Sequence, residues 1–145
     1  MNIFKQIACF AIICIAGLFS CKNKAHSKDE VESAMKQYDS FIQHMNTDSI
    51  AMLYTPDGEL GEMARGRDSI RKFLASFKGF KVLLQSSTTD SINITGDSAF
   101  QKGVYHQTTI TPGNETLTVK GTYKANWRWV AGNGWLIKRM ETKSL

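Results

Sequence analysis

The stretch LTVKGTYKANWRWV, Leu117 to Val130, decides the fold class. Gly121, Tyr123, Ala125, Trp127 and Trp129 fall on one side of an extended chain, and Thr122, Lys124, Asn126 and Arg128 on the other. An alternation of that length, with large aromatics on one face and charges on the other, predicts a β-strand with one dry and one wet side. Trp127 is expected inward, beside Tyr123, because the polar set between them needs water. Turn residues bound the stretch: Pro112, Gly113 and Asn114 before it, Gly132, Asn133 and Gly134 after it.

Neighbouring segments carry the same signal. Trp135 to Met140 predicts a last strand, and Ala99 to Ile110 a long one before the Pro112 turn. Gly96 and Asp97 suit a tight hairpin turn after a strand at Asp90–Thr95, and Phe80–Ser86 predicts a further strand upstream. Before Gly79 the period changes. Val31, Met35, Tyr38, Ile42 and Met45 recur every three or four residues, which predicts a helix over about Asp29 to Asn46, capped by Ser27 or Asp29. Asp48 reads as the cap of a short second helix, with Ile50, Leu53 and Tyr54 inward and a turn at Pro56, Asp57 and Gly58. After a loop through Gly61 and Gly66, Arg67 to Phe77 predicts a third helix. Helices first and an antiparallel meander second make an α+β domain.

The chain has 145 residues, room for one domain. Hydrophobic residues at 42% and charged residues at 21% exclude a disordered chain and a multi-span membrane protein. A net charge of +5 is spread along the sequence without basic runs interleaved with aromatics, so a nucleic-acid partner is not expected. Three scattered histidines, His26, His44 and His106, make no metal site, and no cofactor is expected.

The N-terminus gives an address. Lys5 precedes thirteen uncharged residues, Ile7 to Phe19, too few for the roughly 20 that cross a bilayer core. That is the pattern of a secretory signal. Leu18, Phe19, Ser20 and Cys21 resemble the lipobox of bacterial lipoproteins, which implies cleavage after residue 20 and acylation of the Cys21 thiol. Residues 1–20 are then a signal peptide, residues 21–28 a lipidated cysteine and polar tether, and residues 29–145 the domain. Lys22, where sorting signals place aspartate for inner-membrane retention, implies the outer membrane facing the periplasm. Cys9 and Cys14 leave with the signal, so no thiol remains for a disulfide or zinc. Membrane attachment through Cys21 is the expected partner interaction.

A family resemblance follows from the order of short motifs. These are Leu53 to Gly58, Gly66 to Ile70, Gly96 to Ala99, Gly103 with Tyr105, Gly121 with Tyr123 and Trp127, and Gly134 to Ile137. Together they resemble the nuclear transport factor 2-like superfamily, within it the SnoaL-like or ketosteroid-isomerase-like small domains. The resemblance covers Asp29 to the C-terminus. It implies a cystatin-like cone, with N-terminal helices packed in the concave face of a curved antiparallel sheet, a cavity opening at one end, and a homodimer as a common assembly. It does not imply a function, because one cone hosts many activities.

Acid–base members need a carboxylate or histidine in the cavity, as in ketosteroid isomerase. Here no carboxylate falls in the middle of a long strand. The remaining catalytic candidates are His106, on a strand face whose orientation is open, and Asp57, for which turn chemistry between Pro56 and Gly58 is the favoured reading. Arg67 can hold an anionic group, or form a structural ion pair with Asp57 or Glu62. Tyr38, Tyr54, Tyr123 and Trp127 are candidates to line a ligand pocket, and core packing accounts for them equally well. Three readings follow: a non-catalytic cone binding a small apolar or amphipathic ligand or a protein partner, a small isomerase- or lyase-type enzyme, and a dimeric interaction module without a functional cavity.

Overall fold

Helix α1 (Lys28–Gln43) begins where Ser27 accepts from the Glu30 amide and the Glu30 side chain accepts from the Ser27 amide, a reciprocal cap. Its buried stripe is Val31, Met35, Asp39 and Ile42. A second helix, α2 (Thr47–Met52), is capped by the Asn46 side chain, which accepts from Ser49 at 3.1 Å. The expected cap, Asp48, instead lies inside the first turn and binds Arg71 of α3 (Arg67–Ala75). The computed structural model describes residues 25–145, and the signal run, Cys21 and the start of the tether lie outside the described residues.

The helices pack against one mixed, curved sheet of six strands in the order β2-β1-β6-β5-β4-β3. The strands are β1 (Tyr54–Leu60), β2 (Ala64–Arg65), β3 (Lys81–Thr95), β4 (Ser98–Ile110), β5 (Thr116–Val130) and β6 (Gly134–Ser144). Neighbours are antiparallel except β1 and β6, which run parallel. Two expectations are thereby corrected. Pro56, Asp57 and Gly58 lie within strand β1, at an irregularity between Tyr54 and Glu59 where Pro56 owes no ladder amide. The two strands expected over residues 80–95 are one, β3, bulged between Val82 and Leu84 and between Thr89 and Ser91.

Strands β4 and β5 set the sheet's inner surface through a reciprocal pairing. Gly103 stands opposite Tyr123, and Tyr105 opposite Gly121. A Cβ on Gly103 would lie 2.8 Å from the Tyr123 ring and 2.0 Å from the Thr88 carbonyl. On Gly121 it would lie 2.5 Å from the Tyr105 ring and 2.4 Å from the Lys143 carbonyl. Each tyrosine therefore lies down over bare backbone of the facing strand, where any larger residue would lift it.

The core fills the space between helices and sheet. Val31, Met35 and Ile42 of α1, Ile50 of α2, and Ile70 and Leu74 of α3 meet Tyr123, Ala125, Trp127, Ile137 and Met140. Trp127 and Tyr123 are both buried, and Thr122, Lys124, Asn126 and Arg128 are exposed, as the alternation of β5 requires.

Candidate functional site

Between the C-terminal half of α1, helix α3 and the inner sheet surface lies a cleft of two lobes, about 240 and 270 Å³. They share Ile42, Leu74, Phe77 and Gln107, so they form one continuous groove. The outer lobe is walled by Met45, Phe80, Val82, Leu117 and Val119, and the inner lobe by Met35, Tyr38, Phe73, Met63, Tyr105 and Tyr123. Phe77 stands at the rim, 38% exposed, in edge contact with Phe73 and Phe80. The polar tips are neutral: the amides of Gln85 and Gln107 and the hydroxyls of Ser87, Thr109, Thr142 and the tyrosines. Among the lining residues there is no Asp, Glu, His, Lys or Arg.

Two buried polar chains hold these tips in place. In the first, the Trp127 indole donates to Gln101 Oε1 at 3.0 Å, and Gln101 Nε2 donates to Thr89 Oγ1 at 2.9 Å. The Thr89 hydroxyl in turn shares a hydrogen bond of 3.2 Å with the Tyr123 hydroxyl. Gln101 is fully buried, so every bond it makes replaces water. In the second, Gln107 donates to Gln85, and Gln85 donates to Asp39 at 2.9 Å. Asp39 also accepts from the Ser87 amide and hydroxyl, each at 2.8 Å. This buried carboxylate clamps α1 to β3 and orients Gln85 and Ser87 toward the groove.

The tyrosines are held protonated. Burial pushes the Tyr38 hydroxyl up to about 12, and the nearby Asp39 charge adds to the rise. Tyr54 is pushed up by burial and then by its neighbour Tyr38, with ring centroids 6.4 Å apart. The two hydroxyls are close enough to interact but outside hydrogen-bond geometry, and Tyr54 Oη has no hydrogen-bond partner among the described residues. Burial likewise raises Tyr123. At neutral pH these groups are neutral donors and acceptors, not bases.

Only some of the residues singled out from sequence meet at this cleft. Tyr38 and Tyr123 line it. Tyr54 and Trp127 are core residues behind it, fully buried or nearly so. Arg67 pairs with neither Asp57 nor Glu62; its Nε donates to the Tyr54 carbonyl at 2.8 Å, tying the start of α3 to β1. Asp57 is exposed on β1, ion-paired with Lys138 and accepting from Thr55. Those two donors hold its carboxyl below the usual range. His106 is exposed on the outer face of β4, with Lys102 and Val104. Neither catalytic candidate reaches the interior, because both lie on the wet side of their strands. His26, expected in a flexible tether, is docked instead. Its ring packs 4.3 Å from Trp129 and 4.9 Å from Trp135, between carboxylates of Glu30 and Asp97 at 3.3 Å.

The interior carboxylate that sequence reasoning missed is Asp39. The search was confined to strands, yet Asp39 sits four residues after Met35 and three before Ile42, on the apolar stripe of α1. A charge at a stripe position was the available signal.

A helix-lined cone with an apolar groove defines a small α+β domain of the nuclear transport factor 2-like type. A family model described as a SnoaL-like domain matches residues 23–141, and the chain belongs to that family. No curated protein matches. Solved structures do. A ketosteroid isomerase-like protein from Erwinia carotovora is 18% identical with a TM-score of 0.71, over 81% of this chain and 95% of that one. A Xanthomonas campestris protein assigned to calcium/calmodulin dependent protein kinase II association domains is 22% identical with a TM-score of 0.70, over 83% and 89%. A nuclear transport factor 2-like protein from Salmonella enterica is 16% identical with a TM-score of 0.67, over 80% and 89%. At these identities the likeness is one of fold.

Proposed function

We propose that this is a lipid-anchored envelope protein whose cone binds a small neutral, apolar or amphipathic ligand without transforming it. The observation that carries this reading is the lining of the groove, which combines aromatic and aliphatic walls with amide and hydroxyl tips and has no ionisable group that titrates near neutral pH. Proton abstraction needs a base within hydrogen-bond reach of the substrate. Asp39 is the nearest interior carboxylate, and three hydrogen bonds from Gln85 and Ser87 already occupy its two oxygens. Area and one or two hydrogen bonds suffice to orient a flat ligand in such a groove. The absence of a lining cation argues against an anionic ligand.

Native mass spectrometry of the chain purified from its host, wild type beside Phe77→Lys, tests the reading. Phe77 is a rim residue, so the variant folds while placing a charge at the mouth of both lobes. A small-molecule adduct in the wild type that is lost in the variant supports binding. Equal adducts in both, or turnover of steroid or dienone substrates by the wild type, would overturn it. The anchor has its own test: Cys21→Ser should abolish acylation and move the protein out of the membrane fraction.

A further inference from the structure

The outer surface of β4, β5 and β6 carries a group of cations that the groove does not use. Lys102 and Lys124 stand directly opposite one another across β4 and β5, and Lys143 lies one pair further along, opposite Thr122. Lys120 follows on the same face of β5, opposite His106. All four lysines are exposed, and among the described residues none is in an ion pair. Glu141, which faces Lys124, is engaged by Arg139 at 2.6 Å. Asp90 is the extra residue of the β3 bulge, beside Ser91, which faces Lys102, and among the described residues it forms no ion pair. Like charges directly opposite on a sheet destabilise it. Keeping Lys102 across from Lys124 is a cost to the isolated domain that an external anion would relieve.

We propose that this face is a docking surface for an anionic phospholipid bilayer. The lysines span three neighbouring strands, about 10 Å across, and four residues of β5, about 13 Å along. A plane of phosphate headgroups matches that spread better than a single polyanionic strand does, and among the described residues the face offers one exposed ring, His106, too few for successive bases to stack on. A second copy of the chain fits worse still, since two-fold self-association would set unpaired lysines against lysines. His26, docked against Trp129 and Asp97 at the end of the same sheet, fixes where the N-terminal segment leaves the domain. Cys21 lies five positions before it, at most about 18 Å of extended chain. Trp129 lies on the helix side of β5, so the tether must round the end of the sheet, a path that length allows, for this face to rest on the headgroups. The groove, on the other side of the sheet, then opens away from the lipid. The inference extends the anchored reading above, and one digest separates the two.

The test is amine acetylation of the full chain reconstituted in vesicles of phosphatidylcholine alone, or with about a third phosphatidylglycerol. Lys36 and Lys72 serve as internal controls, since both are exposed on helices α1 and α3. Labelling of Lys102, Lys120, Lys124 and Lys143 should fall about threefold or more in the anionic vesicles only, and recover in about 0.5 M NaCl, where screening shortens to a few Å. In a Lys102→Gln, Lys124→Gln variant, protection of Lys120 and Lys143 should be lost. Equal labelling in the two vesicle types overturns the proposal. So does protection by an oligonucleotide in place of anionic lipid, or protection in detergent that grows with protein concentration, which would mark a second copy. Acylation of Cys21 is read from the mass of the N-terminal peptide in the same digest, so failure of the anchor and failure of the docking surface are distinct results.

Discussion

Replacing Gln101 by Leu isolates what the buried relay contributes. The residue is fully buried and Leu is close to it in volume, so packing changes little while two hydrogen bonds disappear. The Trp127 indole N–H, 2% exposed as a residue, is left without an acceptor. A buried donor stranded in this way costs about 1–3 kcal/mol. The Thr89 hydroxyl loses one partner but keeps Tyr123 at 3.2 Å, so its loss is at the small end. A net destabilisation of about 2 kcal/mol follows, or a fall in Tm of about 8 °C for a domain this size. The assay is urea and thermal unfolding followed by circular dichroism, repeated in a Trp127→Phe background. There the indole donor is already gone, and the same Gln101→Leu change should cost under about 1 kcal/mol, a coupling of about 1–2 kcal/mol between the two sites. An equal loss in both backgrounds would refute the reasoning, because Gln101 would then stabilise the domain by something other than satisfying Trp127.

Other outcomes are as definite. Trp127→Ala should cost about 3–5 kcal/mol by denaturation, and a loss under about 0.5 would mean that β5 is inverted. Gly121→Ala, which drives a methyl into the Tyr105 ring and the Lys143 carbonyl, should destabilise more than the same change at solvent-facing Gly132, read from paired urea midpoints. Tyr38 keeps its proton to about 12 when folded, so its contribution is whole below pH 10 and is lost as pH rises from there toward 12; absorbance at 295 nm should show its ionisation late and coupled to unfolding. Asp57 has the opposite sign. Its pKa is lowered in the folded state, so the pairing with Lys138 stabilises above the ordinary carboxylate range and fades as pH falls below it, and the Tm difference between wild type and Asp57→Asn should vanish in strong acid.

Most of the architecture was legible because it rests on periodicity. The α1 stripe, the alternation of β5 and the Gly96-Asp97 hairpin are local patterns that the tertiary fold does not override. What was not legible depended on partners far away in sequence. Pro56-Asp57-Gly58 has the composition of a turn, and only the distant strand β6 draws it into a sheet. Ser87 and Thr89 broke the strand pattern of β3 because they point inward while polar, and they are polar because Asp39 and Gln101 await them. For the same reason the site was seen only in part. Tyr38 and Tyr123 could be picked out as aromatics on dry faces, whereas Gln85, Gln107 and Asp39 acquire a role only from one another.

Strand β6 is the last strand of the domain in sequence, yet it lies inside the sheet, with β1 on one side and β5 on the other. Its contacts with β1 join residues such as Glu59 and Arg139, 80 positions apart in sequence. Closing so long a loop is entropically costly and slow compared with forming hairpins. Until β6 is in place, β1 and β2 have no sheet to join, and β5 presents an open edge. The domain therefore cannot assemble progressively from its N-terminus; it waits for β6 to close the sheet. A chain cut short before Gly134 is accordingly not a trimmed domain but two unconnected fragments of one, with exposed strand edges that invite aggregation.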